Sequence, residues 1–348
     1  MVGWPEGPSS GPFKKIHSQT AAWVDAGVEV GLFVLTIDRF TKDWRSLPAA
    51  TAVISRGAGP AVALAKERLL MAARLWQPDI IYHRWGLTYP GLVLATMQEK
   101  VVLEVNTNDV VEYDLMTPFK GRVNRMTRGL VLQRAAGLAF VTHELLHSPD
   151  FVRYQRPSVV VANGIDLDHA PHLPAPQNAR PRLLFIGQPL CPWHGLDKLA
   201  ALARSQPGWD FDVVGPGPHE VVSPPDNMVI HGLLNAVDYS RLLAAADIGI
   251  GTLALHRKGL NEASPLKVRE YLATGLPVIS GYADTDFPEG ADFLLRLPND
   301  ENNVAAGAAE IAAFVARWTG RRVARADIAH VDSFAKERSR LDFFSSLL

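Results

Sequence analysis

The chain has 348 residues, 47% hydrophobic and 20% charged, with a formal net charge of −1. That length suits about two domains and that composition a soluble globular protein, while the balanced charge offers no basic face for nucleic acid. The single cysteine, Cys191, excludes an internal disulfide and fits a reducing compartment.

No apolar run reaches the ~18 residues that suggest a membrane span. Met1-Val-Gly-Trp-Pro-Glu lacks the basic-then-apolar pattern of a signal peptide, so the cytoplasm is the simplest location. Pro5-Glu-Gly-Pro-Ser-Ser-Gly-Pro12 looks like a glycine-rich turn after a first strand. Only Met1 to Trp4 precede it, so either that strand is very short or the natural start lies upstream. Strands are predicted near 28–35, 51–54, 79–82, 100–105 and 137–142, with helices near 13–25, 60–76, 89–98 and 119–135 between them. A strand at 158–162 follows, and the proline-rich stretch 171–181 is the best linker candidate. The alternation restarts with strands at 182–186, 211–214, 228–230, 248–250 and 277–279. Two successive α/β halves with parallel sheets are expected.

The richest segment is Asn261-Glu-Ala-Ser-Pro-Leu-Lys-Val-Arg-Glu-Tyr-Leu-Ala-Thr-Gly-Leu-Pro-Val-Ile-Ser280. It reads as a loop bearing Glu262, a helix capped by Ser264 with Pro265 as its first residue, and Glu270 inside that helix. The N–H groups of Leu266 and Lys267 then face outward from a positive helix end, an anion site to which Lys267 adds a mobile cation. A carboxylate on each side of a phosphate-binding helix tip suits a nucleotide-sugar, with hydroxyls at both ends and phosphate between.

This segment resembles the Glu-x7-Glu signature of the retaining glycosyltransferases of family 4, which have the GT-B fold. Val160-Val-Ala-Asn-Gly-Ile-Asp166 and Arg182-Leu-Leu-Phe-Ile-Gly-Gln-Pro-Leu-Cys-Pro-Trp-His-Gly-Leu-Asp197 also match that family in order and spacing. So do Val213-Val-Gly-Pro-Gly-Pro218 and His231-Gly-Leu-Leu234. The resemblance implies two Rossmann-like doubly wound domains facing across a cleft: an acceptor-side domain, 1–160, and a nucleotide-sugar (donor) domain, 161–330. A last helix, 331–348, is implied to pack back on the first domain, and its amphipathic pattern suits that. By the same resemblance Glu262 contacts donor-sugar hydroxyls and Glu270 the ribose, and the backbone near Leu266 and Lys267 holds the diphosphate. Gly11 approaches the same phosphate from the first domain, and the loops of Gly215, Gly217 and Leu233 hold the base.

Two departures stand out. An Arg and a Lys that neutralise the diphosphate in many members align with Gln188 and His194 here. His194 protonated, or Lys267, would replace them; packing beside Trp193 is the other reading for His194. A His that contacts the donor sugar in many members aligns with Asn106, which can exchange hydrogen bonds but is no general base. His143, at the end of a strand, is a candidate for acceptor or donor contact.

His143-Glu-Leu-Leu-His147 spells the H-E-x-x-H of zinc proteases, yet a strand runs into it and Ser148-Pro149 ends any helix after about one turn. Asp284-Thr-Asp286 reads as a solvated loop rather than a metal-binding D-x-D, and no metal is predicted. Arg122, Arg125 and Arg128 line one side of helix 119–135 beside an apolar stripe of Phe119, Val123, Met126 and Leu130. A solvated basic face is the commoner arrangement, with peripheral contact at the inner membrane face as the alternative. His83-Arg84-Trp85 suits acceptor contact or simple packing equally.

The sequence therefore implies a cytoplasmic, metal-independent, retaining glycosyltransferase of carbohydrate biosynthesis. It needs no cofactor, takes a nucleoside-diphosphate sugar as donor, and transfers a hexose-type sugar to a sugar, lipid-linked or small-molecule acceptor hydroxyl. The alternatives are a nucleotide-sugar epimerase or phosphorylase on the same fold, or a non-catalytic nucleotide-sugar-binding subunit.

Overall fold

Short aliphatic strands, the central ones largely buried, alternate with helices and assemble into two main parallel sheets, as strands covered on both faces by helices do. The computed structural model describes residues 1–3, 11–36, 50–55 and 60–348. It divides into two units, Met1–Gly164 with Ser333–Leu348, and Ile165–Asp332.

The first unit holds β1 (Val2–Gly3), β2 (Gly31–Thr36), β3 (Ala50–Ser55), β4 (Ile81–Arg84), β5 (Val101–Val105), β6 (Gly137–Phe140) and β7 (Ser158–Val160). Their spatial order is β3-β2-β1-β4-β5-β6-β7. The first strand is thus central but two residues long, with Val2 paired to both Phe33 and His83. Most of the glycine-rich turn expected at 5–12 lies outside the described residues; Gly11 opens helix Gly11–Asp25.

The segment 333–345 is a helix that lies on helix Gly11–Asp25 of this unit. Its middle is polar rather than apolar. Glu337 accepts from Gln19 Nε2 at 3.2 Å and Trp23 Nε1 at 2.8 Å, and pairs with Arg340 at 2.9 Å. Phe344 then packs against Trp23 and Tyr82 at ring distances of 5.6 and 5.2 Å.

The region predicted as one helix over 119–135 is different. An additional helix, Asp109–Met116, precedes it, capped by Asn108, whose Oδ1 accepts from Val110 N–H and Val111 N–H. Thr117 and Pro118 then start Pro118–Thr127, and Arg128 separates it from Gly129–Leu132. The amphipathicity is inverted because Arg128 is drawn inward by Asp109, at 2.8 and 2.9 Å, with Asn124 bonded to the same carboxylate at 2.6 Å. Phe119 and Met126 are left 77% and 76% exposed. Arg125 pairs with Asp114, so the three arginines do not form one basic face.

The second unit holds β8 (Arg182–Ile186), β9 (Asp210–Val214), β10 (Met228–Gly232), β11 (Ile248–Ile250), β12 (Glu262–Ala263), β13 (Val278–Ser280), β14 (Ala283–Asp284) and β15 (Leu294–Arg296). The main sheet runs β10-β9-β8-β11-β13-β15, the order of a doubly wound nucleotide-binding sheet, which reverses between β8 and β11. The proline-rich stretch 171–181 lies within this unit and is tied to it: His172 Nε2 bonds Val323 O, and Asn178 Nδ2 donates to Asp247 at 2.8 Å. Ile165 N–H donates to Val331 O at 3.0 Å, so the two ends of the unit lie side by side. No helix among the described residues is long and apolar enough to cross a membrane.

Candidate functional site

In a doubly wound sheet ligands bind beyond the carboxyl ends of the strands, at the point where the strand order reverses. In the second unit that point is the end of β8, and most of the residues singled out there converge on it. Gly187 N–H continues from β8 to Val214 O at 3.0 Å, and Gly215 N–H bonds Gly232 O at 2.8 Å. The three loops beyond β8, β9 and β10 are thereby tied together. Gly215 has φ +102°, and a Cβ there would stand 1.9 Å from the carbonyl oxygen of Gly187, so the position admits only glycine. Gly217 N–H is held by Glu220 at 2.8 Å, and Leu233 is 84% exposed just past Gly232.

The acidic segment folds onto the same edge. Glu262 stands in the two-residue strand β12, paired with β14, rather than in a loop. The helix begins at Leu266 with Pro265 as its cap, so Ser264 is not the capping residue. Its hydroxyl is instead taken by Arg269 Nη2 at 2.9 Å. The outward N–H groups at Leu266 and Lys267 belong to the first turn, which has no intrahelical acceptor. Glu270 accepts from the Tyr239 hydroxyl at 2.6 Å. Burial, and then the Glu270 charge, push that phenol far above its ordinary range, so it is a fixed donor that orients the carboxylate.

Asp284 and Asp286 form no solvated loop. Arg269, fully buried, meets Asp284 at 2.7 and 2.8 Å and Asp286 at 2.9 Å. The loop after β14 is thus clamped to the helix that carries Glu270, because a buried guanidinium must be paired.

Lys267 is tethered rather than mobile. Its ammonium donates to Ile186 O at 2.9 Å and lies 4.3 Å from the Phe185 ring centre. Burial pushes it down to about 7. His194 packs edge-on against Phe185 at 5.8 Å. Burial, then the charges of Lys267 and Lys258, push its imidazole down to about 3. Burial thus disfavours the protonated His194 of the first reading, and the ring also meets Trp193 edge-on at 6.2 Å, as the packing reading has it. Gln188 is exposed beyond β8.

The remaining candidates belong to the first unit. Asn106, past the end of β5, accepts from Lys15 Nζ at 3.1 Å. Lys15, on the helix that Gly11 opens, also pairs with Glu104 at 2.5 Å. His143 is exposed at the start of the five-residue helix His143–His147, which ends at Ser148. His147 Nδ1 bonds His143 O at 2.8 Å, so the H-E-x-x-H stretch spans little more than one turn. No cluster of His, Cys, Asp and Glu among the described residues is arranged to hold a metal. His83 is fully buried on Tyr89 at 2.8 Å and packs, whereas Arg84 and Trp85 line a cavity beside Asn106.

Tyr239 and Lys15 were not legible as site residues. Each stands on a helix beside polar neighbours, Lys14 and His17 or Asp238 and Ser240, and nothing in such a pattern announces a partner distant in sequence.

No family model matches the chain, and no curated protein is significantly similar to it. Solved structures are similar to it over their whole length. Sucrose-phosphate synthase of Thermosynechococcus elongatus aligns at 15% identity and TM-score 0.63, over 98% of this chain and 92% of that one. Anabaena HepE, in complex with UDP and glucose, aligns at 14% identity and TM-score 0.66, over 99% and 98%. A glycosyltransferase from Rickettsia africae aligns at 14% identity and TM-score 0.66, over 99% and 97%. At such identities the likeness is one of fold, and the fold is GT-B.

Proposed function

We propose that the chain is a metal-independent, retaining glycosyltransferase of the family 4 type, moving a hexose-type sugar from a nucleoside diphosphate to an acceptor hydroxyl. The observation that carries this reading is the run Glu262 to Glu270 at the reversal point of the second sheet. Glu270, oriented by Tyr239, suits the two hydroxyls of a ribose. The first turn at Leu266 and Lys267, with the Lys267 ammonium, suits a diphosphate, and Glu262 suits sugar hydroxyls. Structural similarity to HepE, a protein seen with UDP and glucose, supports a uridine carrier.

No side chain in this arrangement is needed as a base. In front-face transfer the leaving diphosphate takes the acceptor's proton, and the protein positions the reactants and stabilises developing charge.

A non-catalytic nucleotide-sugar-binding subunit is the second reading, favoured by one observation: His194 is held neutral where a cation would aid departure of the diphosphate. A thermal-shift panel of UDP, GDP, dTDP and ADP with their common sugars tests the donor site. A ligand at 100 times its dissociation constant adds about 2.7 kcal/mol of stability. One nucleotide family should stabilise the wild type and not Glu270→Ala. No shift by any nucleotide at millimolar concentration would sink the donor site. Binding without turnover across a broad acceptor set would favour the subunit.

A further inference from the structure

The first unit has a cavity of its own, of about 450 Å³, at the carboxyl ends of β4 and β5. That is room for a mono- or disaccharide rather than a single ion. Three basic side chains, Lys66, Arg84 and Lys120, line it. Two acids also line it, Glu112 and Asp109; Asp109 is taken by Arg128 and Asn124, and of the three cations Arg84 also faces Glu104. The lining also holds three buried polar atoms without a partner among the described residues: Trp85 Nε1, Asn106 Nδ2 and Thr107 Oγ1. Buried donors are ordinarily bonded, so three in one cavity point to a ligand with several acceptor oxygens. Lys66 is pushed below its ordinary value by burial and then by the Lys120 charge, so these two lysines are close enough to repel. A dianionic group between them relieves that repulsion; a phosphoryl group, carrying close to two negative charges and three acceptor oxygens, is such a group.

We propose that this cavity holds the acceptor, and that the acceptor is a phosphorylated saccharide whose phosphoryl group sits among Lys66, Arg84 and Lys120. The word acceptor rests on the glycosyltransferase reading; the phosphoryl preference rests on the cavity alone. The donors of Trp85, Asn106 and Thr107 serve the sugar hydroxyls, and the ring of Tyr113 provides an apolar wall.

The test is calorimetric titration of the full chain with glucose 6-phosphate, glucuronate, glucose and inorganic phosphate, with UDP-glucose titrated in parallel. Glucose 6-phosphate should bind at least about tenfold more tightly than glucose or glucuronate, and Lys66→Met and Lys120→Met should each lose about tenfold. Lys66→Arg should retain the affinity, and unchanged melting temperatures establish that the variants are folded. A polyprenyl-phosphate-linked glucose in micelles should compete with glucose 6-phosphate, and the tighter of the two identifies a lipid-linked or a soluble source. Equal affinity for glucose or glucuronate overturns the proposal, as does a preference that survives both substitutions. Inorganic phosphate binding as tightly as glucose 6-phosphate reduces the cavity to an adventitious anion site only. A wild type that binds glucose 6-phosphate but no nucleotide sugar sinks the transferase reading instead.

Discussion

Lys15 in the first unit and Lys267 in the second both stand at the carboxyl end of their sheet, and the two find different partners. Lys15 of the first unit is buried, yet it is matched inside the protein by Glu104 at 2.5 Å and by the Asn106 amide oxygen. Lys267 of the second unit meets a carbonyl and an aromatic ring, neither of which carries the opposite charge. Burial alone would raise the Glu104 carboxyl; Lys15, Arg84 and Arg340 hold it well below the usual range instead. Burial lowers both lysines, but Glu104 partly offsets it at Lys15, whereas among the described residues no carboxylate does so at Lys267, which is pushed down to about 7. A lysine balanced within the fold stabilises the fold. One left with dipoles is poised for an anion from outside.

The largest way to break this contrast is Glu104→Gln, which leaves Lys15 and Arg340 buried with less compensation. A loss of about 3–5 kcal/mol in urea unfolding is expected; a loss under about 1 kcal/mol would mean that water reaches Lys15 and that the two lysines do not differ in kind.

Lys267→Met should act on binding instead, weakening a UDP-sugar by about tenfold while leaving the unfolding midpoint nearly unchanged. The pH dependence sharpens this. A lysine that titrates at about 7 in the free protein carries its charge below that value. Affinity for a UDP-sugar should therefore hold below pH 7 and fall as pH rises through it, and Lys267→Met should flatten the profile. For folding the sign is opposite. The unfolded lysine binds more protons between about 7 and 10.4, so this residue makes the fold more stable as pH rises through that window.

The smallest effect is expected at His194, whose imidazole burial pushes down to about 3 in the free protein. His194→Gln should change UDP-sugar affinity less than about threefold and leave the pH profile between 5 and 8 as it was. A lost inflection near pH 6 in the variant would restore His194 as the missing cation.

Much of this was legible in the chain. Apolar runs placed β2 to β11 within a few residues, because a strand covered on both faces leaves a continuous aliphatic signature. Glu262, Leu266, Lys267 and Glu270 were found from one contiguous segment. What failed to show was the side-chain pairing that decides where a helix points. Arg128 reads as a surface residue beside Arg122 and Arg125, and only its distance to Asp109 reveals that the helix is turned inside out. Asp284 and Asp286 read as solvated until Arg269, fifteen and seventeen residues upstream, is seen between them. Ser264 has the composition of a helix cap, but the same arginine takes its hydroxyl. A charge pattern shows which groups need partners, not which partners they find.

The return of residues 333–348 to the first unit has a bearing on the order in which the protein is built. Chains are made from the N-terminus, and domains generally fold as units when their residues have emerged. Residues 165–332 form one uninterrupted stretch whose ends already meet at Ile165 and Val331. That unit, synthesised second, has all it needs to finish first. The unit begun by Met1 waits for Glu337, Arg340 and Phe344 to cover Gln19, Trp23 and Tyr82. A stop a few residues early would therefore damage the half of the molecule that was translated first.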